Sequence, residues 1–477
     1  MNHRHLHLYN TESRRIEPLK PSEGRDHLRI YTCGPTVYNY AHIGNFRTYV
    51  FEDLLRRTLR YFGTHVMQAM NLTDVDDKTI QGAQKDKLDL ATYTHRYKQA
   101  FFRDLNMLHI EPVEFYPAAT DHIGAMVDMI ETLLEKKIAY RGKQGDIFFS
   151  IAQFPKYGRL SQLDLSTLKT GASERVSDDE YEKEVAADFV LWKAYKPERD
   201  GEVYWDSPFG KGRPGWHIEC SAMATHLLGT TIDLHVGGID NMFPHHENEI
   251  AQSEGCCGEL FVRHWAHCQH LIVEGKKMAK SAGNFYTLRD LLARGYTGKE
   301  VRYLLMSTHY RTQLNFTFEG LDGARQALGR FRALIDRLRH LTSTQGEPIE
   351  PLLAQVEEKF DQALADDLNI SAALGAVFDG VRALHTACDR RALSVEGATK
   401  ALAFLRSIDR VLGCLPLEEE EAIPKELVQA LEKRNAARAK KEWAVADRAR
   451  QEIEQRGYRI EDTPDGSRIV PFRGEQL

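Results

Sequence analysis

The 477-residue chain has no apolar run approaching the roughly 18 residues that span a bilayer, which excludes a membrane-spanning helix. Its first residues, MNHRHLHLYN, lack the apolar centre of a secretory signal, so a cytoplasmic protein is expected. Cysteine is scarce. There are seven, with no C-x-x-C pair and no regular spacing, which excludes a disulfide framework and leaves reduced thiols, some of them ligands. An excess of positive charge is missing too: a formal net charge of −6 excludes a uniformly basic nucleic-acid coat, so any RNA contact must come from local clusters of Lys and Arg. What remains, 42% hydrophobic and 28% charged residues over this length, describes a globular protein of two to four domains.

Residues 30–47, IYTCGPTVYNYAHIGNFR, organise the rest. Ile30 to Cys33 read as the end of a buried strand and Gly34-Pro35 breaks it. Phe46, Val50, Leu54, Leu55, Leu59 and Phe62 then recur at helical spacing as far as Gly63. Strand, tight loop and helix make half of a nucleotide fold. A helix start leaves unpaired N–H groups and the positive end of the dipole, so His42 and the close-approach Gly44 sit where ATP phosphates would lie. Upstream, His3, His5 and His7 alternate as the solvated face of an edge strand. Downstream, a strand over 65–70 runs into NLTDVDDK, whose three aspartates read as helix caps as readily as metal or ribose ligands.

From 113 to 196 the pattern changes: a helix over 121–137, a hairpin-like DIFFSIAQFPKYGRLS, a polar segment over 164–187, then DFVLWK. This interrupts the two halves of a doubly wound parallel sheet. Beyond it, Pro244 is placed to open a helix on which His245 and Glu249, four apart, share a face. With Cys33 and Cys220 they make a sulfur, nitrogen and oxygen set that suits zinc. On spacing alone the plainer reading holds, with two buried cysteines and an exposed helix pair. Cys256, Cys257, His264, His267, Cys268 and His270 are denser but repeat no structural zinc spacing, and residues 261–273 read as one alternating strand.

The loop KKMAKS at 276–281, taken alone, is a solvated turn. After Tyr286, periodic segments over 321–341, 352–364, 371–387 and 395–412 predict a four-helix bundle. Its first helix carries Arg325, Arg330, Arg332, Arg337 and Arg339, read as a solvated face ahead of an RNA contact. Pro416 to Pro424 read as a linker. The last module, 425–477, has two short helices bearing Lys433, Arg434, Arg438, Lys440, Lys441, Arg448 and Arg450 with Trp443 among them, then a hairpin around Asp465-Gly466. Basic side chains beside an aromatic suit unstacked RNA bases.

The string His42-Ile43-Gly44-Asn45, with CGPTVY at 33–38 before it and KMAKS at 277–281 far behind it, resembles the signatures of class I aminoacyl-tRNA synthetases, and among them the cysteinyl-tRNA synthetase family. The resemblance covers roughly the whole chain. It implies an α/β fold: a class I Rossmann-like doubly wound parallel sheet with a connective insertion, a helical bundle, and a small mixed C-terminal anticodon-binding module. The implied boundaries are 1–320 for the catalytic domain, with the insertion at 113–196 and a stem-contact segment at 286–320, then 321–415 and 424–477. It implies that Cys33, Cys220, His245 and Glu249 hold one zinc ion per chain, and that Thr73, Trp216, His235 and Asp240 bind the cysteine. His42, Gly44, Asn45, His267 and Lys280 would contact ATP, brought with Mg2+, while His42, Lys277 and Lys280 carry the catalysis.

Two positions depart from the family pattern: Asn45 stands for the signature's last histidine and Ala279 for the serine of K-M-S-K-S. The implied reaction is ATP-dependent activation of L-cysteine and transfer to tRNA(Cys), by a monomer. Two other readings stay open. One is a cysteine–amino sugar ligase of the mycothiol type, whose members are expected to lack the terminal basic module. The other is a zinc-dependent RNA-binding protein without ligase activity.

Overall fold

The computed structural model describes residues 4–162, 188–279, 282–418, 424–440, 442–456, 458–463 and 466–471. The polar segment 164–187, Lys280 with Ser281, and His3 lie outside the described residues. The chain divides into two compact units. One joins Met1–Leu288 with Gly298–Leu415, and the other joins Arg289–Thr297 with Pro416–Leu477.

The first unit opens with a hairpin of β1 (His7–Asn10) and β2 (Arg15–Pro18). Next comes β3 (His27–Thr32), buried over its last five residues. The loop after it leads into α1 (Ile43–Tyr61), whose Ile43, Phe46, Val50, Leu54 and Leu59 are all buried. That apolar stripe at helical spacing is what fastens the helix to the sheet. β4 (His65–Met70) returns parallel to β3, with Ile30 opposite Gln68. Then follow α2 (Asp77–Asp86), α3 (Leu90–Met107) and α4 (Ile123–Glu135). Asp76 caps α2 by accepting from the Lys78 N–H at 2.8 Å, so of the three aspartates this one is a cap. Asp74 and Asp77 instead pair with Lys98 at 2.6 Å and Lys193 at 2.7 Å.

The inserted region forms its own antiparallel sheet of β5 (Ala139–Arg141), β6 (Ile147–Phe149), β7 (Phe189–Ala194) and β8 (Gly212–Pro214), in that order. Two details differ from the pattern reading. The hairpin is made by β5 with β6, and the chain after Phe149 turns into a short 3-10 helix, Ile151–Gln153, rather than doubling back. The sheet also takes its last strand from beyond residue 196, where Gly212-Arg213-Pro214 is too short to show alternation. Phe149 stacks on Phe189 at 4.9 Å, and Trp192 is fully buried behind them.

Then α5 (Trp216–Leu228) leads to β9 (Leu234–Gly238), and α6 (Glu247–Cys257) to β10 (Trp265–Cys268). The main sheet runs β10-β9-β3-β4, all parallel. Strand order reverses between β3 and β9, and a doubly wound sheet opens a crevice at such a point, beyond the carboxyl ends of the strands. Cys33 stands there, its N–H donating to the Val236 carbonyl at 3.2 Å.

Residues 261–273 are two strands rather than one, because the chain leaves the main sheet after β10. β11 (Leu271–Val273) pairs instead with β12 (Lys276–Lys277) and with β13 (Leu314–Phe316). After α7 (Gly298–Met306), the bundle consists of α8 (Phe318–Arg339), α9 (Glu350–Ala365), α10 (Ile370–Asp389) and α11 (Val395–Leu412). It docks on α1 through buried charge: Arg302 of α7 donates to the Leu412 carbonyl at 2.6 Å while paired with Asp53 of α1. In the second unit α12 (Lys425–Ala439) and α13 (Trp443–Gln455) share a small core with the hairpin of β14 (Tyr458–Thr463) and β15 (Gly466–Pro471), built on Leu427, Ala430, Ile453 and Ile469.

Candidate active site and metal centre

The helix start carries the first part of the site. His42 is the N-cap of α1, its Nδ1 accepting from the Asn45 N–H at 3.1 Å while the Asn45 side-chain oxygen accepts from the His42 N–H at 3.1 Å. A reciprocal pair of this kind satisfies two donors a helix start would leave open. It also fixes the ring, because Nδ1 must accept and the neutral imidazole then carries its proton on Nε2. The residue that departs from the signature thus has a defined local task, with its amide nitrogen still able to donate.

The lysine loop comes to the same place. A Cβ on Gly44 would lie 3.0 Å from the His42 ring and 3.2 Å from the Met278 methyl, so a larger residue there would press on the capping imidazole and on the loop side chain that passes it. Phe285 sets its edge against the His42 ring at 5.1 Å, and the Ile43 N–H donates to the Tyr286 carbonyl at 3.0 Å. Asn284 braces the loop itself. Its oxygen accepts from the Ala279 N–H at 2.9 Å and its nitrogen donates to the Lys277 carbonyl at 3.2 Å. Lys277 is exposed on β12.

Across the crevice, one ligand atom each from Cys33, Cys220, His245 and Glu249 gathers within 4.8 Å of the others, all four residues buried. The loop after β3, helix α5, the turn before α6 and α6 itself each supply one. Cys33 and Glu249 also form a second group with His235 and His246 inside the same limit. The first set fits a zinc ion on more than composition. Glu249 Oε1 stands 3.0 Å from His245 Nε2 yet meets no hydrogen-bond geometry, as two donors turned toward a shared cation would.

Imidazoles surround this quartet. His217 Nδ1 lies 2.9 Å from His245 Nδ1, His235 Nε2 lies 2.9 Å from Glu249 Oε2, and His246 Nε2 lies 3.3 Å from Cys33 Sγ. Gly237 makes room for that last ring, since a Cβ there would fall 2.8 Å from His246 Cε1. Ligand orientation by hydrogen-bonded neighbours is the usual support of a metal site. Burial, with Cys220 beside it, pushes the Cys33 thiol well up; burial alone pushes the Glu249 carboxyl up and, with its histidine neighbours, the His245 imidazole down. His235 is pushed down to about 3 by burial. Each group is thus held toward its neutral form, and a dication in the middle reverses that balance by favouring thiolate and carboxylate.

The pocket residues expected from the resemblance fall in different surroundings. Trp216 lies flat on His245, centroids 4.3 Å apart, and keeps 38% of its surface exposed. Thr73 is buried after β4, its hydroxyl accepting from Asn71 at 3.2 Å, and it meets the buried Glu219 carboxyl, which burial pushes up. Asp240 is exposed in the turn after β9. His267, expected at ATP, is buried with both ring nitrogens engaged inside the protein, Nε2 with His246 at 2.8 Å and Nδ1 with Thr11 at 2.8 Å. Lys280 lies outside the described residues. Pattern reading missed His217, His246 and Asn284. The histidine doublet at 245–246 was the one visible signal for His246, and only tertiary contact identifies the others.

Comparison with known proteins identifies the family. Residues 19–326 match the family described as tRNA synthetases class I (C) catalytic domain, and residues 359–416 match the DALR domain. A cysteine–tRNA ligase of Protochlamydia amoebophila is 57% identical over 466 residues, 97% of each chain. Another, from Chlamydia pneumoniae, is 51% identical over 470 residues, 98% of each. Among solved structures, a Mycobacterium tuberculosis methionyl-tRNA synthetase with methionyl-adenylate aligns at a TM-score of 0.54 and 14% identity, over 82% of this chain and 89% of that one. A LeuRS–tRNA–LeuAMS complex from Agrobacterium radiobacter aligns at 0.58 and 14% identity, over 84% and 85%. The solved structures share the fold, the relatives match over nearly the whole chain, and the chain belongs to the cysteinyl-tRNA synthetase family of class I aminoacyl-tRNA synthetases.

Proposed function

We propose that this chain activates L-cysteine with ATP, releasing pyrophosphate, and transfers the cysteinyl group from the adenylate to the 3′ end of tRNA(Cys), as a cytoplasmic monomer. The single observation that carries the reading is the buried Cys33, Cys220, His245 and Glu249 quartet, opening from the same loop that runs into the His42 cap. Cysteine and serine are near-isosteres, and a pocket of fixed shape separates such a pair by only about 1 to 3 kcal/mol. A zinc ion held by the quartet would supply what shape lacks, since a thiolate is a good zinc ligand and a neutral alcohol a poor one.

The remaining work belongs to the chain's own groups. Trp216, Thr73, His235 and Asp240 are assigned to positioning the amino acid so that its carboxylate meets the α-phosphate of ATP, which arrives with Mg2+. The proton on His42 Nε2, the Gly44 N–H and the Asn45 side-chain amide face the phosphates. Lys277 and Lys280 offset the charge that develops on the leaving pyrophosphate. For His267 a supporting task, orienting His246, agrees better with its two engaged nitrogens than direct contact with ATP. Residues 1–320 are assigned to catalysis, with 286–320 against the acceptor stem. Residues 321–415 form the bundle, and 424–477, with exposed Trp443 on α13, contact the anticodon.

The test is cysteine-dependent ATP–pyrophosphate exchange with cysteine and serine, followed by charging with tRNA or an amino sugar as acceptor. Exchange with cysteine alone and charging of tRNA are expected. Transfer to the amino sugar would favour the mycothiol-type reading, and no exchange would leave only RNA binding.

A further inference from the structure

Beside the His42 turn lies a cluster of aromatic rings that nothing in amino-acid activation uses. Tyr38 and Tyr40 stand on the loop between β3 and α1, and Tyr93, Arg96 and Tyr97 on the first two turns of α3. Tyr93 is the anchor. Its hydroxyl donates to the Tyr38 carbonyl at 2.8 Å, and its ring crosses α2 at Gly82, where a Cβ would collide with it at 2.1 Å. Tyr97 sets against Tyr93 at 5.3 Å and against Tyr40 at 5.4 Å, both edge-on, while the Arg96 guanidinium lies 4.5 Å from the Tyr93 ring and 4.7 Å from the Tyr97 ring. Lys78 is 5.6 Å from the Tyr38 ring.

The outer edge of this cluster is open. Tyr40 keeps 44% of its surface exposed, and Arg96 is exposed with its charge shared by Asp86. Packing of a core does not account for a tyrosine this exposed, with a second ring set against it and a guanidinium over that second ring. Such a platform suits a flat, π-faced partner carrying phosphates, which is the chemistry of an unpaired nucleotide. The position narrows the partner further. Tyr40 is two residues from the His42 cap, so a base stacked on it lies within two residues of the turn assigned to the phosphates, which the acceptor must also approach.

We propose that Tyr40 and Tyr97, stiffened by Arg96 and Tyr93, form a stacking platform for the unpaired 3′-terminal nucleotides of the tRNA as they enter the site. This rests on the ligase reading above and adds to it the residues that receive the acceptor end. Because the platform serves the second step, activation and transfer separate cleanly in the test.

Metal-loaded full-length chain carrying Tyr40→Ala, Tyr97→Ala or Tyr40→Phe is assayed for cysteine-dependent pyrophosphate exchange and for tRNA charging. Exchange is expected to stay within about twofold of the unsubstituted chain, while the KM for tRNA rises about tenfold in both alanine variants, and phenylalanine, which keeps the ring, restores it. Binding supplies a second readout. The unsubstituted chain should prefer intact tRNA over tRNA trimmed of its unpaired 3′ nucleotides, and Tyr40→Ala should bind the two alike. Exchange falling in step with charging, an altered KM for ATP, unchanged charging, or no rescue by phenylalanine would each overturn the platform. An unsubstituted chain that neither exchanges pyrophosphate nor charges tRNA would instead overturn the ligase reading on which it stands.

Discussion

Asn284 closes the lysine loop on Ala279: the side-chain oxygen of the first accepts from the backbone N–H of the second at 2.9 Å. Because Ala279 takes part through its backbone, the serine hydroxyl missing from the signature costs this contact nothing. The three residues after Asn284 continue to the helix start, where Phe285 meets the His42 ring, the Tyr286 carbonyl takes the Ile43 N–H, and Thr287 bridges to His42. Loop and cap are therefore connected by one short run of chain.

That connection makes Asn284 a positioning residue for the loop lysines. Asn284→Ala removes two hydrogen bonds, each worth about 0.5 to 1.5 kcal/mol, and should lower kcat for pyrophosphate exchange roughly tenfold or more. The KM for cysteine should hardly move. Asn284→Asp keeps the acceptor but turns a charge toward the Lys277 carbonyl, and should fall between the two. Equal losses in kcat and in cysteine binding would assign Asn284 a general structural part instead.

How much of this was legible in the sequence depends on the range of the contact. The α1 stripe and the His245–Glu249 pair repeat within a turn or two, so spacing alone predicted that each would share a face. The break between β10 and β11 was hidden, because Gln269 and His270 are ordinary strand residues and only pairing with β13 pulls the second strand out of the main sheet. His246 meets Cys33 across 213 positions, and no local pattern encodes such a meeting. His267 was expected at ATP from the resemblance alone; its hydrogen bonds to His246 and Thr11 join positions 21 and 256 residues away, and no local pattern encodes them either.

The quartet should be testable by metal content before any activity is measured. Cys220→Ser leaves a neutral alcohol where a thiolate is wanted, and bound zinc should fall from about one per chain to a small fraction. Stripping zinc with a chelator should also change tryptophan fluorescence, because Trp216 lies on the His245 ring. Zinc retained at full occupancy by Cys220→Ser would move the ion to the second group, where His235 and His246 replace Cys220 and His245.

The two loop lysines should differ in weight. Lys277 is fixed on β12 by its ladder with Ile272, whereas Lys280 follows the brace at Ala279 and is assigned to the pyrophosphate. Lys280→Ala should lower pyrophosphate exchange by about a hundredfold, the scale of losing one preorganised charge partner, with cysteine binding kept. Lys277→Ala should cost less. A larger loss at Lys277 would exchange the two assignments.

Acid should loosen the β1–β10 corner through His264. Its ring is buried, its Nε2 meets no partner, and burial pushes its pKa down to about 4 in spite of Glu17 and Asp367 nearby. An unfolded chain titrates this group near pH 6.5, roughly. Between these two values the unfolded state binds a proton that the folded state refuses, so stability is complete above about pH 6.5 and declines as the pH falls toward 4. From pH 7 to pH 5 the loss from this one group amounts to roughly 2 kcal/mol. His264→Gln removes the titration, so its urea midpoint should fall less over that range than that of the unsubstituted chain, whatever its value at pH 7. Equal acid sensitivity in the two proteins would mean that the proton is taken up elsewhere, and that water reaches the His264 ring.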